Sequence, residues 1–468
     1  MTTRQARTRV LWSSADLREA TGGAVDKTFD AAGISIDTRT IRPGDLFIAL
    51  VGENGDGHDH AAAAIGAGAA GVMVHRTVAG VSPCILVDDT LAGLTRLGGF
   101  ARARFSGRVA AVTGSVGKTT VKEMSRQILS SFAPTHAATA SHNNHWGVPL
   151  TLARIPWDAV YCILEIGTNH AGEIAPLAQL SEPHVAVITT IEAAHIGHFD
   201  GLDAIADEKA AIMCGLDATG IAVLPADSPW YPRLRARAGT RTVLSFGTAS
   251  TAEARLLDIE TGPDFTSFRA DIAGREVRVR LSAPGRHMAM NGLAALTAAA
   301  ALGLDLVAAA NALSGFSPVA GRGVHRSLEV AGGAALLLDE SYNANGASMR
   351  AALEVLRLQP SLRKVAVLGD MLELGEAGPN EHAALADDVI RSADIVFTCG
   401  PLMRHLFDAL PARIQGAHAA DAEALAVIVA AFAAGGDAIL VKGSLGSRMR
   451  TIVAALDTGP PAGRNRIS

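Results

Sequence analysis

The amino-acid sequence predicts an α/β protein built from three domains. Its 468 residues exceed the roughly 100–200 residues of an ordinary domain about threefold. Short apolar runs without polar alternation recur between helix-like segments, which is typical of parallel strands buried on both faces. Residues 254–281 differ, because polar and apolar residues alternate there between turn-like segments, and this pattern predicts antiparallel hairpins.

The predicted domains cover residues 1–107, 108–321 and 322–468. The first is a small α/β unit with the strand candidates GDLFIAL, GVMVH and CILVDD. The second has a central P-loop-type parallel sheet (RVAAVTG, YCILEIG, HVAVITT, GIAVLPAD), the added antiparallel sheet, and an Ala-rich helical region at 289–313. The Gly-rich linker SPVAGRGVHR leads to the third, whose strands ALLLDESY, KVAVLGDM, DIVFTCG and AILVKGS predict a Rossmann-like, doubly wound sheet.

Composition excludes several broad classes. The net charge of −5 argues against general nucleic-acid binding, which requires a basic surface. The four cysteines are far apart and none forms C-x-x-C, so reduced thiols are expected. The start, MTTRQARTRVLW, lacks the apolar core of a signal peptide, and the most apolar stretch, 288–304, is mostly Ala and Gly and about one turn too short for a bilayer. We expect a cytoplasmic protein without membrane insertion.

A glycine-containing loop, AVTGSVGKTT, is the strongest candidate for chemistry. It reads T-G-x-x-G-K-T, and Val112 stands where the longer G-x-x-x-x-G-K-[ST] loop has its first glycine. Gly114 and Gly117 let backbone N–H groups turn inward before a helix N-terminus, which predicts an anion-binding nest. Lys118 can reach β- and γ-phosphates, and the Thr119 hydroxyl can hold Mg²⁺. An ordinary βα turn is the less favoured alternative.

Polar residues follow several other predicted strands. Glu165 closes YCILEIG at the end that faces the ligand crevice of a parallel sheet, where a metal ligand and a solvated carboxylate are equally compatible. Lys442 in LVKGS ends another strand, where a cation could meet phosphate or carboxylate. The segment DESYNAN (339–345) ends a strand with more hydrogen-bonding side chains than a plain loop exit uses. Three histidines near strand ends each carry a weak signal: His170, His195 and His198.

Three further segments carry no functional signal of their own. DEKAAI predicts an exposed helical lysine at Lys209. SHNNHWGVP predicts a turn around Asn143 and Asn144, and GRHMAMN predicts a loop that leads into the Ala-rich helix.

In their order, these motifs resemble the Mur ligase family over nearly the whole chain. The family carries the short T-G-x-x-G-K-[ST] loop, and DTRTIRPGDLFIALVGENGDGHDH (37–60) is similar to an amino-terminal signature within it. LEIGTNHAGEI, DESYNAN and LVKGS are similar to features of the same members. The resemblance implies that residues 1–107 bind a UDP substrate, that 108–321 bind ATP, and that 322–468 form the Rossmann-like third domain.

The resemblance also implies a reaction in peptidoglycan precursor synthesis. ATP phosphorylates the terminal carboxylate of a UDP-N-acetylmuramoyl tripeptide, and the amine of D-alanyl-D-alanine attacks the acyl phosphate through a tetrahedral intermediate. A carboxylate is a poor electrophile and two anions must approach, so metals and cations must screen them. ATP and Mg²⁺ are implied, and a monomer is expected. The third residue of the tripeptide, diaminopimelate or lysine, stays open.

The implied site residues are carried over position by position. Lys118 would hold the γ-phosphate, and Thr119 and Glu165 one Mg²⁺. Lys209 matches the family's carbamylated lysine, which with His195 would support a second Mg²⁺; Lys118, Lys209 and His195 are the implied catalytic residues. The implied ATP contacts are Thr113, Gly114, Ser115, Val116, Gly117, Lys118, Thr119, Thr120, Asn291, Arg322 and Glu340. The implied substrate contacts are Thr38 and Arg39 on the uridine nucleotide, Asn143 and Asn144 near metal and phosphate, Asn343 and Asn345 on the dipeptide, and Lys442.

The chain departs from the family pattern at four positions. Met288 and Ser141 replace usual asparagines, Glu340 replaces a common Asp, and Gly346 replaces a common Pro. Folylpolyglutamate synthase, with the same loop and acyl-phosphate chemistry, is an alternative, but it lacks the DTR…PGDLF unit. A P-loop small-molecule kinase that transfers phosphate without ligation is a second alternative, and a catalytically inactive binding relative is a third.

Overall fold

The computed structural model describes residues 10–52, 55–138, 141–193 and 196–458. The chain forms three main sheets in sequence order, of five, nine and six strands. The predicted three-domain α/β class is therefore confirmed, while the predicted domain boundaries stay predictions. No helix within the described ranges is long and apolar enough to cross a membrane.

The N-terminal domain is a small parallel-containing sheet flanked by helices. Its elements are β1 (Trp12–Ser13), α1 (Ser14–Thr21), β2 (Ala24–Val25), β3 (Asp30–Ala31), β4 (Gly33–Ser35), β5 (Asp45–Ile48), β6 (Val51–Gly52), β7 (Gly55–Asp56), α2 (Ala61–Gly66), β8 (Gly71–Val74), β9 (Cys84–Leu86) and α3 (Thr90–Arg104). The sheet order is β2-β9-β8-β5-β4, with β4, β5, β8 and β9 parallel. The apolar runs of β5 and β8 are fully buried, as predicted.

The central domain is built on the nine-stranded sheet. Its elements are β10 (Arg108–Thr113), α4 (Lys118–Phe132), β11 (Thr135–Ala137), α5 (Gly147–Ala153), β12 (Tyr161–Glu165), α6 (Ile174–Ser181), β13 (Val185–Ile188), α7 (Leu202–Ala210), β14 (Ile221–Pro225), α8 (Tyr231–Ala238), β15 (Thr242–Gly247), β16 (Ala254–Thr261), β17 (Thr266–Ile272), β18 (Arg275–Leu281), α9 (Arg286–Ala301) and α10 (Leu306–Leu313). The order is β11-β12-β10-β13-β14-β15-β16-β17-β18; β11 to β16 are parallel, and β17 and β18 complete the predicted antiparallel part.

Both faces of the central sheet are covered, which explains its continuous apolar strands. In β10, Ala110 and Val112 pack beneath α4, α9 and α10, whereas Val109 and Ala111 pack beneath α5, α6 and α7. Since β12 and β13 flank β10 on opposite sides, the loop after β10 lies at the crevice where such sheets bind ligands.

The C-terminal domain has a six-stranded sheet with two polar edge strands. Its elements are β19 (Val324–Val330), β20 (Gly333–Glu340), α11 (Gly346–Arg357), β21 (Arg363–Gly369), α12 (Gly378–Ala383), α13 (Ala386–Ser392), β22 (Ile395–Cys399), α14 (Met403–Ala409), β23 (Gln415–Ala419), α15 (Ala422–Phe432), β24 (Asp437–Lys442) and α16 (Arg450–Thr458). The order is β19-β20-β24-β21-β22-β23, and all neighbours except β19 and β20 run parallel.

Two local predictions need correction. GRHMAMN is not a loop: α9 begins at Arg286, because Gly285 turns the chain at φ 110° and Met288 and Ala289 then face the core. The Ala-rich region 289–313 is helical, as predicted, and consists of α9 and α10 separated by a turn at Gly303. The linker ends at residue 323, because its last letters already belong to β19.

Candidate active site

A cavity of about 740 Å³ lies between the central and C-terminal domains. The loop after β10 and the ends of β12 and β13 form one wall, and the ends of β20 and β24 with the start of α11 form the other. Most of the predicted site residues line it: Ser115, Val116, Gly117, Lys118, Thr119, Thr120, Asn143, Glu165, Asn291, Arg322, Glu340, Asn343, Asn345 and Lys442. Residues far apart in sequence are thus brought to one place.

The phosphate-loop candidate has the backbone that its glycines allow. Gly114 and Gly117 have φ of 137° and 86°, values that residues with a side chain rarely adopt. A Cβ atom on Gly117 would lie 2.5 Å from Oδ1 of Asn291. The loop therefore requires glycine for both conformation and space, and Asn291 of α9 lies directly against it.

Lys118 begins α4 and folds back over the loop. Its Nζ donates hydrogen bonds to the carbonyl oxygens of Gly114 at 2.7 Å and Ser115 at 3.3 Å. Burial lowers the pKa of the Lys118 ammonium; Glu165 acts in the opposite direction, and Arg322 lowers the pKa further. A phosphate entering the loop would restore a counter-charge to this cation.

Thr119, Glu165 and Asn143 form a hydrogen-bonded set beside Lys118. The Thr119 hydroxyl donates to Glu165 Oε2 at 2.9 Å, and Asn143 Nδ2 donates to Glu165 Oε1 at 2.8 Å. Glu165 is only 2% exposed although it ends a strand, which rules out the solvated strand-end carboxylate. A hydroxyl and a carboxylate oxygen side by side are donors that suit Mg²⁺.

Lys209 is buried, so the prediction of an exposed helical lysine was wrong. Its side chain is 3% exposed, and Ile205 and Ala206 lie on the same buried stripe of α7. Burial, with a smaller contribution from the nearby Lys118, lowers the pKa of the Lys209 ammonium to about 7, although Glu208 and Glu173 act in the opposite direction. The i, i+4 spacing from Ile205 was the available signal for this burial.

The C-terminal wall holds its polar groups in fixed positions. Parallel pairing sets Glu340 beside Lys442, and Lys442 Nζ donates to Glu340 Oε2 at 3.3 Å and to the Asn343 carbonyl at 3.1 Å. Asn345 caps α11, accepting the Ser348 N–H at 2.9 Å. Lys442 thus lies at a strand end as predicted, paired with a carboxylate across the sheet.

Arg322 ties the linker to the central domain. It donates to the Ser141 hydroxyl at 3.3 Å, and its guanidinium lies 4.1 Å from the ring centroid of Tyr342. Two residues that depart from the family pattern therefore form hydrogen bonds at the site. The Ser141 hydroxyl accepts a hydrogen bond from Arg322, and the Glu340 carboxylate accepts one from Lys442. Met288 is buried in the core of the central domain.

Several predicted residues lie outside the cavity lining. Thr38 and Arg39 lie on a 3₁₀ turn of the N-terminal domain. The Arg39 side chain is 87% exposed and forms an ion pair with Asp37 at 2.6 Å. Asn144 accepts the Gly147 N–H at 3.0 Å, which confirms the predicted turn. The other such residues are Thr113, Gly114 and Lys209.

Of the three histidines named from the sequence, the structure describes two. His195 lies outside the described residues. His170 and His198 lie with ring centroids 4.8 Å apart, and neither lines the cavity. Across the described ranges no three His, Cys, Asp or Glu side chains cluster as a metal site.

Sequence reasoning missed several residues that line the cavity, among them Glu192, His287 and Tyr342. Glu192 follows β13 by only a few residues, so the strand-end argument that selected Glu165 also applied to it. His287 was assigned to a loop, and burial in α9 lowers its pKa. Tyr342 lies within DESYNAN, whose polar density was recognised without a role for the ring.

A phosphate loop that faces a second α/β domain across one cavity defines a nucleotide-dependent enzyme with a shared site. The chain matches the Mur ligase middle domain over residues 112–299, the Mur ligase glutamate ligase domain over 326–445, and the Mur ligase family catalytic domain over 30–86. The UDP-N-acetylmuramoyl-tripeptide–D-alanyl-D-alanine ligase of Escherichia coli K12 is 36% identical, over 92% of this chain and 94% of its own. The chain belongs to the Mur ligase family.

Solved structures match most of the chain. MurF from Acinetobacter baumannii matches with a TM-score of 0.85 at 31% identity, covering 96% of this chain and 99% of that one. The MurF ligase of Thermotoga maritima, solved in complex with ADP, matches with a TM-score of 0.77 at 26% identity, covering 91% and 97%. A folylpolyglutamate synthase of Mycobacterium tuberculosis shares the fold at 16% identity over 80% of this chain and 95% of its own, with a TM-score of 0.62. That alternative is a distant relative only.

Proposed function

We propose that this chain joins D-alanyl-D-alanine to a UDP-N-acetylmuramoyl tripeptide at the expense of ATP. The observation that carries the proposal is the shared cavity, in which the phosphate loop with Lys118 faces Asn343 and Lys442 of the C-terminal domain. A phosphoryl donor on one wall and an amine acceptor on the other is the arrangement that ligation through an acyl phosphate requires. The names of the relatives support the same reaction.

The chemistry has two steps. A carboxylate oxygen of the tripeptide bonds to the γ-phosphorus while the bond to the bridging β–γ oxygen breaks, releasing ADP. The dipeptide amine then bonds to the acyl carbon, the carbon–oxygen bond to phosphate breaks, and the nitrogen loses a proton. Both steps develop negative charge on phosphoryl oxygens, which cations fixed in a dry cavity stabilise.

The loop from Thr113 to Thr120 is assigned to the phosphates. Lys118 holds the γ-phosphate, since its Nζ already lies over the loop carbonyls. Asn291, packed against Gly117, is assigned to adenine, and Arg322 and Glu340 complete the nucleotide contacts from the linker and the second wall.

The acceptor and uridine contacts are assigned to the remaining predicted residues. Asn343, Asn345 and Lys442 take the dipeptide side of the cavity, and Asn143 and Asn144 lie toward the metal and phosphate. Thr38 and Arg39 take the uridine nucleotide, presented on an exposed turn rather than in a preformed cleft.

Magnesium fits the central wall of this site. Thr119 and Glu165 supply a hydroxyl and a carboxylate within hydrogen-bonding distance of each other, and His195 and a carbamylated Lys209 are the further ligands proposed. When bound, Mg²⁺ would neutralise phosphate oxygens and so lower the barrier to phosphoryl transfer. A cytoplasmic location and a monomeric state remain predictions.

Carbamylation of Lys209 is supported by its burial. The nitrogen of the neutral amine bonds to the carbon of CO₂ while one electron pair of a C=O bond moves to its oxygen. The nitrogen then loses a proton. Lysine with its usual pKa near 10 is almost wholly protonated at neutral pH and cannot react, whereas a pKa of about 7 leaves a substantial neutral fraction.

ADP release that depends on the acceptor tests the function against a kinase. With ATP and the UDP tripeptide, sustained ADP release is expected only when D-alanyl-D-alanine is added. L-glutamate with a folate substrate, the pair a folylpolyglutamate synthase uses, is the matched control and should give none. Sustained ADP release without an amine acceptor would favour the kinase instead.

A further inference from the structure

Glu192 is a cavity-lining carboxylate whose position is fixed by the phosphate loop. Its backbone N–H donates to Ser115 Oγ at 3.0 Å, and the same hydroxyl donates to the Glu192 carbonyl at 2.9 Å. This reciprocal pair joins the segment after β13 to the middle of the loop. The side chain is half-buried and lines the same cavity as Asn343 and Asn345.

The other cavity carboxylates are already engaged. Glu165 accepts from Thr119 and Asn143, and Glu340 pairs with Lys442. Asp227 accepts the N–H groups of residues 248 and 249, and Glu373 also has an interaction partner. Within the described ranges, the Glu192 side chain makes no hydrogen bond or ion pair.

The surroundings of Glu192 favour a cationic ligand. Burial raises the pKa of its carboxyl group, and the one charge that opposes this is Arg350 on α11. Arg350 itself donates to Asp388 at 3.1 Å, so it is already partnered. A half-buried carboxylate whose opposing cation already has another partner gains most from a group that brings both a positive charge and N–H donors.

We propose that Glu192 binds the ammonium group of the incoming dipeptide and takes its proton as the amine attacks. The inference rests on the proposed function, because that reaction is what brings an ammonium to this place. The acyl phosphate forms next to Ser115, and the acceptor arrives from the wall that holds Asn343. Glu192 is joined to the loop through Ser115 and lines the cavity in which the two would meet.

The proton balance of the step is simple. Two protons leave nitrogen: the ammonium gives one to a Glu192 oxygen, and the freed nitrogen pair bonds to the acyl carbon. As the carbon–oxygen bond to phosphate breaks, the nitrogen gives its second proton to the departing phosphate oxygen, which leaves one N–H in the amide. Phosphate leaves with that electron pair, and Glu192 returns its proton to water. A positioned carboxylate of this kind is a suitable general base for an amine.

Substitution of Glu192 by glutamine separates this role from phosphoryl transfer. In Glu192→Gln, kcat/KM for D-alanyl-D-alanine is expected to fall about ten- to a hundredfold, since a hydrogen bond to a charged group is lost. The KM values for ATP and UDP tripeptide should stay within about twofold. Hydroxylamine, which is uncharged at the assay pH, should trap the acyl phosphate as hydroxamate at the wild-type rate. Glu329→Gln, on the exposed edge strand β19, is the matched control and should change none of these values.

Four results would decide against the inference. An unchanged kcat/KM for the dipeptide would remove Glu192 from the acceptor site. Equal losses in hydroxamate formation and ligation would show that Glu192 merely supports the loop through Ser115. If Glu192→Gln lowers the unfolding temperature, Glu192→Asp, which keeps the charge, must recover part of the dipeptide kcat/KM, and its failure to do so overturns the role. If the wild type forms no hydroxamate, the proposed function fails first, and this inference falls with it.

Discussion

The polar side chains on the loop wall of the cavity are held in place by hydrogen bonds and burial. The side chain of Arg39, on the turn of the N-terminal domain, is exposed to solvent. Around the loop, Thr119, Glu165 and Asn143 are joined by hydrogen bonds of 2.8 and 2.9 Å, and Glu165 is nearly inaccessible. Arg39 is exposed and pairs with its neighbour Asp37. With the loop wall assigned to phosphoryl transfer and the turn to the UDP substrate, as proposed, the fold preorganises the chemical end of the site and leaves the recognition end to be completed by its ligand.

The largest effect should follow from removing the charge at the loop. Lys118→Ala is expected to lower kcat by about a thousandfold, because a cation on the transferring phosphoryl group contributes several kcal/mol. Circular dichroism should show an unchanged fold. Lys27→Ala, at an exposed position of the N-terminal domain, is the matched control. A folded Lys118→Ala with near-normal turnover would remove the loop from the active site.

Loss of Lys209 should be the next largest effect and should be partly reversible. Lys209→Ala is expected to lose about a hundredfold in kcat, the scale seen when a supporting metal ligand is removed. Acetate or formate should restore part of the activity by filling the vacated anion position, whereas chloride at equal ionic strength should not. Carbon-13 NMR of the wild type with labelled CO₂ should show a carbamate signal that Lys209→Ala lacks.

Wild-type activity of Lys209→Ala in CO₂-depleted buffer would contradict carbamylation. So would a crystal structure with a bare Lys209 ammonium and both metal ions bound. The metal site would then consist of Thr119, Glu165 and His195 alone.

Hindering closure of the C-terminal domain by a substitution at Gly197 should change activity less than the loss of Lys118 or Lys209. Gly197 N–H donates to the Glu373 carbonyl at 3.0 Å, and a Cβ on Gly197 would lie 2.8 Å from the Gly375 nitrogen, so the two domains touch through glycine backbone. We expect an ATP analogue with UDP tripeptide to reduce the radius of gyration in small-angle scattering, by rotation near Arg322. Gly197→Ala should weaken this compaction and raise the KM values severalfold.

Gly66→Ala, where a Cβ meets open space, is the control and should compact like the wild type. An unchanged radius of gyration for the wild type with both ligands would contradict domain closure.

The smallest effect is expected at the exposed turn. Arg39→Ala should raise the KM for the UDP substrate about tenfold through one lost charge-assisted contact, with kcat unchanged. Thermal stability should stay within about 0.5 kcal/mol, as at most surface positions. A fall in kcat without a change in KM would place Arg39 in catalysis and erase the contrast between the two regions.

Sequence reasoning succeeded where one local pattern determines the outcome. The order of strand, glycines, lysine and helix predicted the loop, and the buried apolar runs predicted β10, β12, β13 and β14. It missed β19 and β23 because both are polar edge strands with little apolar signal, and β11 because it has only three residues.

Two features that local patterns did not predict, the burial of Lys209 and the position of Glu192, depend on contacts between distant segments. Lys209 is buried by residues that pack on α7 from elsewhere in the chain, and Glu192 gains its position from Ser115, 77 residues away. Such long-range placement leaves at most a weak periodic trace in the sequence. The resemblance to the Mur ligases selected Lys209 where local physics did not.

Mass spectrometry of the reaction product is the most direct test that this chain ligates D-alanyl-D-alanine to the UDP tripeptide. Purified protein is incubated with ATP, Mg²⁺, D-alanyl-D-alanine and a UDP-N-acetylmuramoyl tripeptide that ends in either diaminopimelate or lysine. The proposed ligation predicts a product equal in mass to tripeptide plus dipeptide less one water, with one ADP and one phosphate for each bond, and the preferred tripeptide identifies its third residue. A phosphorylated peptide as the final product, or ADP without any gain in peptide mass, would contradict it.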